Sequence, residues 1–175
     1  MPGAIEQIFE YTYPSSNNTQ AVLIENIPQT YRHLEVIWTG KGTGVSGDSA
    51  SLRPNNYSNA YGYWGARMNS QSTTIYEAGR YGLNQIMAMN SASVVFGDNG
   101  GSVRVMFYDY ANNVNVTNYA GDSHEDASQY VGYSKFVGIY RQTSPITSIG
   151  FGAPTGTVRG ESKIWINGWN DIDGV

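Results

Sequence analysis

The sequence predicts an all-β protein, a sandwich or barrel of short antiparallel strands. Apolar residues recur with a period close to two along almost the whole chain, and no window of about eleven residues holds a helical stripe. Clusters of Gly, Asn, Asp, Ser and Pro interrupt the alternation at intervals that suit about ten short strands. The 175 residues form one domain, 1–175, with enough chain to bury a core without staples.

Taken in order, strands are expected over 5–13 and 20–25. IPQTY at 27–31 then places Pro28, with its fixed φ, in a turn. HLEVIWT at 33–39 is the clearest strand, with Leu34, Val36 and Trp38 on one face and His33, Glu35, Ile37 and Thr39 on the other. Residues 40–72 are weakly periodic apart from a short strand at 50–53. They are read as long loops, which in compact domains usually carry function. Strands follow at 73–76, 84–90 and 93–97, and Asp98, Asn99, Gly100 and Gly101 make the strongest hairpin signal, because Asn and Gly tolerate positive φ. In SVRVMFYDY at 102–110, Val103, Val105 and Phe107 oppose Arg104, Met106, Tyr108 and Tyr110. GDSHED at 121–126 reads as an acidic surface turn. Strands at 135–142, 146–151 and 162–168 complete the set. In the last, SKIWINGW, Ile164 and Ile166 share a face with Gly168, so Lys163, Trp165, Asn167 and Trp169 face the other way.

Composition narrows the function. Charged residues are 14% of the chain, against roughly 25% in typical soluble domains. The chain is rich in Gly (21) and Tyr (14). A net charge of −4 and a pI near 5.0, with basic residues scattered singly, argue against nucleic-acid binding. The absence of cysteine removes disulfides, thiolate metal sites and cysteine nucleophiles. No run approaches the ~20 apolar residues of a membrane-spanning helix. MPGAIEQ lacks a basic segment leading into an apolar one, so the chain is expected to fold in the cytoplasm where it is made.

Few residues suggest catalysis. The Asp122–Asp126 segment is oxygen-rich but lacks the spaced ligands and glycine of a calcium loop, and no metal or cofactor is expected. His33 lies beside Arg32 and Glu35 on a strand face with no sequential nucleophile. No G-x-S-x-G elbow occurs, and GKGTGVSGD at 40–48 lacks the G-K-[ST] of a phosphate loop. A paired-carboxylate glycosidase would need two acids across a cleft, which sequence does not locate. Asn17, Asn56 and Asn115 open N-x-[ST] triplets, expected by chance in so Asn-rich and Ser-rich a chain. The aromatic residues carry more information. Tyr57, Tyr61, Tyr63 and Trp64 lie among Asn, Ser and Gly in NNYSNAYGYWGAR, the vocabulary of binding loops. With Tyr108, Tyr110, Trp165 and Trp169 they are the candidates for a protein interface or for stacking on sugars, or else rings that close the end of the core.

The order of four pieces, IPQTY at 27–31, LRPN at 52–55, ITSI at 146–149 and ESKIWING at 161–168, resembles a class of tailed-bacteriophage virion proteins. The ending WINGW departs from that pattern, in which the last strand ends on aliphatic residues and a tyrosine, and 77–135 matches nothing in it. The resemblance implies an antiparallel β-sandwich, jelly-roll-like, with long loops, in a non-enzymatic virion structural protein assembled from chains made in the host cytoplasm. The expected role is capsid decoration or cement, with the major capsid protein or other virion proteins as partners and a homo-oligomer, such as a trimer, as the assembled form. A tail-fibre or spike module that binds host glycans is the alternative, and a polysaccharide-cleaving enzyme a more distant third. No membrane partner is expected.

Overall fold

The computed structural model describes residues 5–14, 21–41, 51–56, 61–69, 72–83, 86–87, 100–127, 130–152 and 161–170. These contain no helix and twelve strands: β1 (Ile5–Thr12), β2 (Ala21–Ile24), β3 (His33–Gly40), β4 (Ser51–Pro54), β5 (Tyr61–Asn69), β6 (Ser72–Leu83), β7 (Ile86–Met87), β8 (Gly100–Tyr108), β9 (Thr117–Ala127), β10 (Tyr130–Tyr140), β11 (Ile149–Gly152) and β12 (Lys163–Trp169). The strands form an eight-stranded sheet ordered β1-β12-β3-β8-β9-β10-β5-β6 and a four-stranded sheet ordered β2-β11-β4-β7. All pairings are antiparallel, and the molecule is a β-sandwich.

The alternation read from sequence decides which side of each sheet is dry. From the large sheet, Leu34, Val36 and Trp38 of β3, Val103, Val105 and Phe107 of β8, and Ile164 and Ile166 of β12 are buried in one cluster with Ile24, Leu52, Ile149 and Phe151 of the small sheet. Trp38 is fully buried and joins the layers. It meets Phe151 edge-on at a centroid distance of 5.5 Å and stacks with Tyr13 at 6.4 Å. Aromatic pairs of this kind add to the burial of their area.

Two expectations are corrected. GDSHED is not a turn but the middle of β9, which pairs with β8 on one side and β10 on the other. Its core-facing positions hold small residues in place of aliphatic ones: Ser123 is buried, and the space above Gly121 is taken by the Phe136 ring and the backbone of Arg104. With the larger residue supplied by the neighbouring strand, this stretch of β9 has no apolar alternation to detect. Second, 61–69 is strand β5, not part of a long loop, paired with β10 and β6. Its glycines hide the pattern. Of the strand expected at 84–90, 86–87 is described and forms the two-residue β7, and the rest lies outside the described residues. The strand expected at 93–97, Asp98 and Asn99 of the hairpin signal, and most of GKGTGVSGD lie outside the described residues.

The four sequence pieces at 27–31, 52–55, 146–149 and 161–168 are linked through the fold. The backbone N–H of Ile27 donates to Thr147 O (2.9 Å), and Gln29 Nε2 donates to Ile146 O (2.9 Å). Asn55 sits at φ 50°, a left-handed conformation that Asn tolerates. Its Oδ1 accepts from the N–H groups of Thr147 (2.8 Å) and Ser148 (3.1 Å), while its Nδ2 donates to Pro145 O (2.7 Å) and Tyr140 Oη (3.2 Å). The Tyr31 ring lies over Gly168, where an added Cβ would clash with its Cγ. These motif residues are the brackets of the sandwich.

Candidate functional site

The site is built on the outer face of the large sheet. Antiparallel register brings side chains from successive strands into rows. One row runs Glu10, Trp165, Ile37, Arg104, Asp122 and Lys135 across β1, β12, β3, β8, β9 and β10. The next runs Asn167, Glu35, Met106, Ala120 and Val137.

Glu35 anchors the face. It is only 3% exposed although it points away from the core, so its carboxylate requires partners. Oε1 accepts from Arg104 Nε at 2.5 Å, and Oε2 accepts from Asn167 Nδ2 at 2.9 Å and Trp169 Nε1 at 3.2 Å. Both oxygens are satisfied by charge-assisted bonds, which fix three side chains from two neighbouring strands. Trp169 is thus oriented by Glu35, and Trp165 lies with Lys163 Nζ 5.9 Å from its ring centroid. Both tryptophans are half-buried. Lys163 also reaches Glu10 at 3.8 Å.

Tyr108 stands 42% exposed on this face, with its ring edge-on to His33 at 5.6 Å. His33 Nδ1 accepts from the Asp109 N–H at 3.2 Å, which requires the neutral ring. Burial lowers the His33 pKa, the Asp109 carboxylate opposes that shift and Arg32 adds to it. Between Tyr108 and Lys135 the surface dips into a depression of about 410 Å³. Ala120 and Gly121 line it together with Met106, Tyr108 and Val137, and with Arg104, Asp122 and Lys135. Val137 is 51% exposed.

The expected site residues divide accordingly. Tyr108, Trp165 and Trp169 are brought together on this face. Tyr110 is not among them. Asp109 takes φ 52° and ends the strand alternation, so Tyr110 turns inward, fully buried, and donates its hydroxyl to Pro28 O. Burial pushes its pKa up to about 12. Tyr61, Tyr63 and Trp64 belong to β5, in register with Tyr140, Gly138 and Val137 of β10. Tyr57 lies outside the described residues.

In β9, Asp122 and His124 point outward while Ser123 points inward. Outward neighbours on a strand are about 6.7 Å apart, too far for the segment to wrap an ion by itself. Among the described residues no three His, Cys, Asp or Glu side chains are grouped to hold a metal. Sequence reasoning put Glu35 and Arg104 on outer faces but missed their pairing, along with Asp122, Lys135 and Val137 as neighbours, because strand order is not written in any single strand. In comparisons with known proteins, no family model, no curated protein and no solved structure matches this chain.

Proposed function

We propose that the chain is a non-enzymatic structural protein of a bacteriophage virion, a capsid decoration or cement protein that binds the assembled shell through the outer face of its large sheet. The observation that carries this reading is that face. From β1 to β10 it spans six strands, about 24 Å at ~4.8 Å per spacing, and carries exposed Tyr108, Tyr133 and Val137 beside half-buried Trp165 and Trp169. Trp169, held by its hydrogen bond to Glu35, suits an interface, because little freedom is lost on docking. The strand order supports a jelly roll. With β5, β6, β9 and β10 set aside, eight strands remain in two sets, β1-β12-β3-β8 and β2-β11-β4-β7, an arrangement that fits two interleaved Greek keys. The partner is the major capsid protein, and a homo-oligomer multiplies modest contacts.

The test is binding of the purified protein to shells that lack it. Saturable binding at a fixed stoichiometry, with a raised shell melting temperature, is expected. Absence of binding sinks the reading. A second reading, a glycan-binding module of a tail fibre or spike, is favoured by one feature, the depression between Tyr108 and Lys135, which is polar along one edge and apolar along the other.

A further inference from the structure

We infer that the depression on the outer face of β8, β9 and β10 is a binding site for a neutral pyranose unit of a glycan. The inference rests on the glycan-binding reading and assigns its ligand class and its residues.

Two edges define the site. Met106, Tyr108 and Val137 give one apolar edge around the small Ala120, a surface suited to the C–H face of a sugar ring. Along the other edge Arg104, Asp122 and Lys135 follow one another in register on three adjacent strands, so donor, acceptor and donor alternate. A sugar's hydroxyl edge, in which each group both gives and takes a hydrogen bond, matches that alternation. The volume of about 410 Å³ falls in the range of small-ligand sites.

Asp122 points to a ligand. It lies between two cations yet, among the described residues, its carboxylate makes no hydrogen bond and no ion pair within 4.0 Å. The arginine beside it is held away: its Nε is engaged by the buried carboxylate of Glu35, which Asn167 and Trp169 hold from the other side. The polar edge thus contains an acceptor whose neighbours do not close on it, leaving it open to a hydroxyl. Charge selects against ionic sugars. Arg104 and Lys135 supply two positive charges, Glu35 and Asp122 two negative ones, and the site is formally neutral.

The test is saturation-transfer NMR on the full chain with the methyl glycosides of glucose, galactose, mannose and N-acetylglucosamine, and with glucuronic acid and glucosamine as charged probes. At least one neutral glycoside is expected to bind. Tyr108→Ala and Asp122→Asn should each weaken it about tenfold at unchanged melting temperature, whereas Leu23→Ser, on the exposed side of the small sheet, should leave it unchanged. No binding by any neutral glycoside, tighter binding of a charged probe, or binding that survives both substitutions overturns the inference. Shell binding measured on the same variants keeps the two proposals separable: sugar binding without shell binding upholds this site and removes the decoration reading, and shell binding without sugar binding does the reverse.

Discussion

Glu35 and Trp38 lie three positions apart on one strand, face opposite sides of the sheet, and are both buried. Trp38 belongs to the contact between the sheets. Trp38→Ala should therefore cost about 3 to 5 kcal/mol and lower the melting temperature on the order of 10 °C; an unchanged melting curve would show that the ring does not bridge the layers. His33 gives a pH-dependent counterpart. Its folded-state pKa lies below the ordinary value of about 6.5, so the unfolded chain takes up the proton first. The contribution to stability is complete above pH about 6.5 and declines as the pH falls through that value toward the lowered folded pKa. Comparing urea denaturation of the wild type and His33→Gln at pH 7.5 and 5 should show the larger loss in the wild type. Equal losses would mean that the ring titrates alike in both states.

At the scale of elements, short segments are held by side chains as much as by ladders. β4 and β11 share four register pairs, and Asn55 extends that contact by bonding 145–148 from beyond the end of β4. Asn55→Ala removes these bonds and leaves Ala in a left-handed conformation, a combined cost of about 3 kcal/mol. Asn55→Asp keeps the acceptors for Thr147 and Ser148 and should lose less. Amide hydrogen exchange checks this: the Thr147 and Ser148 N–H groups should exchange faster in the alanine variant than in the aspartate variant. The same element explains the spacing of the four sequence pieces, whose residues meet across the fold through backbone and amide bonds rather than by facing a ligand. The aromatic ending WINGW is different. Its Gly168 admits Tyr31 on the inner side, while Trp165 and Trp169 stand on the outer side.

For the whole molecule, the large sheet is dry on one side and half-wet on the other. A half-buried tryptophan on the wet side still has area to bury against a partner, and Trp is enriched among the residues that dominate interface energetics. Under the proposed decoration role, Trp165→Ala should leave the melting temperature of the monomer close to wild type while weakening the self-association and shell attachment that role requires, measured by sedimentation velocity and shell binding. Equal damage to folding and assembly would assign the ring to the domain's own packing. The chain's negative net charge does not extend to the glycan site proposed on this face, where two cations balance two carboxylates.

The all-β class, the inner faces of β3, β8 and β12, and the burial of Trp38 were legible in the sequence, because alternation is a local property and each of these strands carries its own apolar residues. Two things were not. Sequence alone reads 61–69 and 121–126 as loop and turn: glycines interrupt the alternation of β5, and within 121–126 of β9 the inward positions hold Gly121 and Ser123, with Phe136 filling the space above Gly121. Strict alternation puts Tyr110 on the outer face, but a left-handed Asp109 reverses its direction. The candidate site was hidden for a further reason. Glu35, Arg104, Asp122 and Lys135 come from four strands that are adjacent only in the order of the sheet, and that order is set by how the whole chain buries its apolar faces at once.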